Sequence, residues 1–250
     1  MKPTWPVGSN GYLEILSQVN HGLDFAATGI DLVLLLRVVT LKLHRTYFFI
    51  ALACLLSVFF DGIALWLGPD SQENFRVFLY SRFLYAFVYP VAAWDVFEEL
   101  APHLAKLRRI AISRTITSML LITLFGLALS AFLASGNDAD DSTFIKILGV
   151  FVWTGSAAAS LSFLWVMHKE MRAQKMSPPH NTFVWLLFYE LILLGEIANC
   201  FLLQIAGTFS QTVAEILTLV LLVYGMGVTA WCAIKLRALR PEVPSESAEA

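Results

Sequence analysis

The sequence predicts an all-α membrane protein, a bundle of seven transmembrane helices with its N-terminus outside and its C-terminus in the cytoplasm. Three observations predict it. Over 250 residues the chain is 58% hydrophobic and only 14% charged, where soluble domains carry about a quarter charged residues. Its apolar residues gather into seven long runs, each able to cross a hydrocarbon core of about 30 Å as a helix. Lys and Arg gather in every second connector, the pattern of cytoplasmic loops. The runs are too long for barrel strands and do not alternate polar with apolar residues.

The first run covers residues 22–41. Residues 1–21 lack the charged start and continuous apolar stretch of a signal peptide, so a short extracytoplasmic segment is expected there. Lys42 and Arg45 follow. The second run, 46–67, stops at Gly68-Pro69-Asp70-Ser71-Gln72-Glu73-Asn74, a turn rich in helix-capping residues. The third, 75–97, contains Pro90, which predicts a kink, and leads to Lys106, Arg108, Arg109 and Arg114. The fourth, 115–134, ends in the acidic loop 135–142. The fifth, 144–167, carries small residues from Gly155 to Ser160 that suit close helix packing. Lys169, Arg172 and Lys175 come next, then the helix-stopping Ser177-Pro178-Pro179. The sixth and seventh runs are 182–206 and 210–234. Lys235, Arg237 and Arg240 close the transmembrane domain, 22–240, and a polar tail, 241–250, is expected to be disordered in the cytoplasm. The expected location is a cell membrane, read as a bacterial inner membrane.

Several chemistries are excluded. No soluble stretch is long enough to present a basic face, which argues against nucleic acid as a partner. The lysines (2, 42, 106, 146, 169, 175 and 235) all lie away from mid-membrane depth, so none offers a retinal Schiff base. His21 is near the outer edge and His44, His103, His168 and His180 near the inner surface, which leaves no matched pair for a transmembrane haem. Cys54, Cys200 and Cys232 sit singly in apolar runs and read as small buried hydrophobes. No metal-protease, nucleophile-elbow or phosphate-loop motif occurs. No metal, cofactor or catalytic residue is therefore expected.

The informative residues are ionisable groups at membrane depth, which cost roughly 2.5–3.5 kcal/mol each on insertion scales and normally face the bundle interior. An outer layer holds Asp24, Asp61, Arg82, Gln204 and Glu215. Within it Asp61 and Arg82, at matching depth on consecutive helices, are the expected ion pair. A deeper layer holds Asp31, with Glu196 and Asn199 one turn apart on one face. Arg37 is expected to reach Glu190 or the inner interface. Arg82, Tyr85 and Tyr89 form a polar-aromatic stripe suited to a pocket wall. The candidate ligand or ion site is thus Asp31, Asp61, Arg82, Tyr85, Tyr89, Glu196, Asn199 and Glu215. Each of these groups has a structural reading too, as register-fixing pairs and inter-helix hydrogen bonds.

Residues 95–113 place Leu100, Leu104, Leu107 and Ala111 at helical spacing beside Lys106, Arg108 and Arg109. This predicts an amphipathic helix on the cytoplasmic face, lying on the lipid bilayer or docking a protein partner. Minimal loops, a basic inner face and the lack of catalytic motifs favour a sensor, signal-transducing module or accessory subunit. A small transporter or proton-coupled carrier using the buried acids is second, and an intramembrane lipid enzyme third.

Overall fold

No proline interrupts the stretch from Asn10 to Thr40, and it winds as one helix, α1 (Asn10–Thr40). It closes at Lys42, in the left-handed conformation, and a single 3-10 turn over Leu43–Arg45 reverses the chain. The apolar α2 (Phe48–Leu67) follows and stops ahead of Gly68-Pro69. Helix α3 (Gln72–Leu100) runs through Pro90 and ends before Ala101-Pro102, where the pre-proline residue disfavours a further helical turn. Helix α4 is Asp141–Ala173. It ends in a Schellman motif: Lys175 is left-handed, Met176 N donates to Met171 O and Lys175 N to Arg172 O. Helices α5 (His180–Ile205) and α6 (Gln211–Lys235) complete the chain.

The computed structural model describes residues 10–67, 72–104, 107, 109, 113, 116, 117, 120, 141–205 and 211–239. Most of the expected fourth run, most of the acidic loop, the tail, and the side chains of Gln204 and Glu215 lie outside the described residues. Among the described residues there are six helices and no strand. Three stretches, Phe48–Leu67, His180–Asn199 and Ile216–Lys235, are long and apolar enough to cross a membrane. Helices α1, α3 and α4 are longer still, at 31, 29 and 33 residues. Charged residues inside α1 and α3 lower their hydropathy. Large apolar side chains such as Phe59, Trp66, Trp165, Val220 and Ile234 are exposed on the outer surface, as lipid-facing positions are.

The helices form a closed ring. Each packs on the next in the order α1 to α6, α6 returns to α1, and α3 touches α5 across the middle. Neighbours in the chain are antiparallel except α3 and α4. Tyr89 meets Trp153 and Phe97 meets Phe163, so these two helices run in the same direction.

One end of the bundle is closely packed among the described residues. Leu43, Tyr47, Ile50, Phe97, Leu100, Leu164, Met167, Trp185 and Leu236 are fully buried there. Polar ties stitch the same end. The Tyr47 and Thr182 hydroxyls are 2.9 Å apart, Arg37 Nη2 donates to Leu236 O at 2.9 Å, and His180 Nε2 to Lys235 O at 2.9 Å. Asn181 bonds Arg237 twice, giving its amide to the carbonyl and taking the backbone N–H.

Two sequence expectations change here. Arg37 does not reach Glu190, because α6 lies between α1 and α5; Glu190 instead accepts from His168 Nδ1 at 3.0 Å. The stripe in 95–113 is not one surface helix. Its first part is the end of α3, a turn follows at 101–103, and Leu100, Leu104 and Leu107 are buried. Those leucines extend the core and are not an apolar face laid on lipid. Ala111, Lys106 and Arg108 lie outside the described residues, and Arg109 is exposed.

Candidate ligand-binding cavity

The opposite half of the bundle is hollow. A cavity of about 680 Å³ lies between α1, α2, α3, α5 and α6. It begins at Leu34, Val88, Phe188 and Thr229, just above the packed half, and reaches His21, Leu65, Val77 and Thr218 near the helix ends. His21 and Asp24 are exposed at that rim.

Both polar layers expected from the sequence line this one cavity: Asp24, Asp31, Asp61, Arg82, Tyr85, Tyr89, Glu196 and Asn199. Glu215 belongs to α6, but its side chain is outside the described residues. The layers merge because α1 brings Asp24 and Asp31 to one face, seven residues apart, and α5 turns Glu196 and Asn199 inward together.

The pairing differs from expectation. Arg82 Nη1 lies 3.5 Å from Glu196 Oε2, not on Asp61. Its guanidinium also sits over the Trp153 ring, 3.9 Å from the centroid. Stacking on α4 and the acid on α5 draw Arg82 away from α2, since a guanidinium favours an aromatic face. Trp153 Nε1 donates to the Tyr89 hydroxyl at 3.4 Å. Glu196, Arg82, Trp153 and Tyr89 thus form a chain of contacts joining α3, α4 and α5.

Asp61 joins a second group. Ser57 Oγ donates to Asp31 Oδ2 at 2.6 Å and approaches Asp61 Oδ2 at 3.4 Å. Ser57 thus links the two carboxyls. Ser57 precedes Asp61 by one helical turn and so shares its face. The spacing is legible in the sequence, but a single serine in an apolar run carries no signal of its own. Tyr85 faces Ser57 and stacks on Tyr89, with ring centroids 5.9 Å apart, while Phe60 lies 6.3 Å from Tyr85. These three rings form an aromatic wall beside the carboxyl pair.

Gly195 sets the far wall. A methyl group in its place would stand 2.9 Å from Tyr224 Cε1. Tyr224 is held there by donating to Leu191 O at 3.0 Å. Among the described residues no group of three or more metal-ligating side chains converges. Comparison with protein-family models, curated proteins and solved structures finds no match.

Proposed function

We propose that the chain is an integral membrane protein with seven spans, N-terminus outside and C-terminus in the cytoplasm, that senses a small ligand from the extracytoplasmic side. The observation that carries this reading is the asymmetry of the bundle: a polar cavity in one half and a sealed, tied half opposite. Two further points support seven spans. Parallel packing of α3 and α4 requires residues 101–140 to bring the chain back along the bundle. Those residues include the apolar run 115–134. The basic connectors then fall at the packed end, which makes that end cytoplasmic.

In this reading the helices that line the cavity carry the signal. Helices α1, α5 and α6 each enter the packed half and meet at the ties of Arg37, His180 and Asn181 to residues 235–237. A ligand that draws α1 and α6 together strains or tightens these ties and moves the chain leading into the tail. The signal passes to a partner protein through the basic inner face, including Arg109 and the connectors around it.

A carrier is the second reading, favoured by the carboxyl pair of Asp31 and Asp61. Alternating access separates the two. In a background with Cys54, Cys200 and Cys232 replaced by Ala, Ala64→Cys on the cavity wall is probed in sealed vesicles of both orientations with membrane-impermeant thiol reagents. A sensor is modified from the extracytoplasmic side only. Modification from both sides identifies a carrier, and protection from the extracytoplasmic side overturns the outward-open cavity.

A further inference from the structure

We infer that the cavity takes a small organic ammonium ion, its cationic head between Asp31 and Asp61 and its apolar part against Phe60, Tyr85 and Tyr89. The inference rests on the reading of the cavity as an outward-open ligand site and adds its chemistry.

Charge is the first argument. Among the described residues neither carboxyl has a basic side chain within ion-pair distance. Arg82, the nearest guanidinium along the wall, is engaged by Glu196 and Trp153. Ser57 gives the pair one hydroxyl and no charge. Two carboxyls this close disfavour each other's ionised form, and a positive charge between them favours both ionised forms together.

Space is the second. About 680 Å³ is far more than a bare ion fills and falls within the range of small-molecule sites, roughly 300–1,000 Å³. Among the described residues no group of three or more potential metal-ligating side chains converges.

The third argument is the wall itself. Tyr85 stands beside the carboxyls, with Phe60 on one side of it and Tyr89 stacked on the other. Aromatic faces next to acids are how proteins hold alkylammonium groups, by cation–π attraction combined with charge. The Arg82 guanidinium over Trp153 uses the same attraction elsewhere on the wall.

The test uses the full-length protein in nanodiscs and isothermal titration with benzylammonium and tetraethylammonium chlorides. Benzyl alcohol serves as the neutral isostere and sodium chloride as the salt control. Both ammonium ions bind, and benzyl alcohol binds at least about tenfold more weakly. Asp31→Asn and Asp61→Asn, which keep the side-chain shape, each weaken ammonium binding by a similar factor. Tyr85→Leu weakens tetraethylammonium binding and Tyr85→Phe preserves it, as a ring face requires. Equal binding of alcohol and ammonium overturns the inference, as does unchanged binding in both Asn variants or heat liberated by sodium alone. If Ala64→Cys is modified from the extracytoplasmic side while no ammonium ion binds, the ligand class falls and the sensor reading stands. If Ala64→Cys is protected, the site reading itself falls.

Discussion

Asp95 stands on α3, yet its carboxylate accepts the backbone N–H of Ile50 at 2.9 Å, in the first turn of α2. Helix α2 opens with Phe48-Phe49-Ile50 and has no acidic residue there, so its exposed donors would otherwise go unpaired. A carboxylate at that position satisfies one of them and opposes the positive end of the helix dipole. Asp95→Ala is expected to lower unfolding stability by about 1–2 kcal/mol, and Asp95→Asn by less, because the amide oxygen still accepts; denaturation in mild detergent measures both. Nothing in the sequence separated Asp95 from Glu98 and Glu99, since a cap supplied across helices has no local spacing. Arg82 teaches the same lesson from the other side. Depth along the helices suggested Asp61 as its partner, but depth does not report rotation about the helix axis, and Trp153 decides the direction. A double-mutant cycle should give a coupling of about 0.5–3 kcal/mol between Arg82 and Glu196 and a smaller one between Arg82 and Asp61. The reverse ranking would refute the pairing described.

At the scale of the helices, hydropathy located what the membrane dictates and missed what packing dictates. Helices α2, α5 and α6 begin and end within a few residues of the apolar runs, because apolar length and the flanking Gly, Pro and Ser residues set both ends. Helix α1 runs from Asn10, well ahead of the run at 22; no proline lies between Pro6 and that run, and a helix continues past its apolar stretch until something stops it. The leucines after α3 obey helical spacing whether they meet lipid or core, so periodicity alone could not distinguish the two. Contact between α5 and α6 depends on one small residue. At Gly195 an added methyl group meets Tyr224 Cε1 at 2.9 Å, and the ring cannot swing aside without losing its bond to Leu191 O. Gly195→Ala is therefore expected to cost about 1–3 kcal/mol through overpacking. Adding Tyr224→Leu should recover part of that loss, a non-additive result that thermal unfolding of the two single variants and the double variant reads directly. Additive losses would mean the two residues do not press on each other.

For the whole molecule, direction is the strongest constraint. Helices α3 and α4 pack side by side with Tyr89 level with Trp153 and Phe97 level with Phe163, so both run from the hollow end to the packed end. The chain leaves α3 at the packed end and must enter α4 at the hollow end. If the bundle lies across a bilayer, the residues between have to cross it once, and the apolar run 115–134 has the length to do so as a helix. Unpaired backbone in hydrocarbon is too costly for any other course. A cysteine placed at His103, in the turn after α3, should then react with impermeant thiol reagents only from the cytoplasmic side. One placed at Asn137, in the acidic loop, should react only from outside. Reaction of both from the same side would remove the crossing and leave α3 and α4 antiparallel in the membrane, in conflict with the packing of Tyr89 and Phe97. Opposite sides would establish an odd number of spans and place the hollow half, with Asp31, Asp61 and Glu196, on the face of the membrane that meets external solutes.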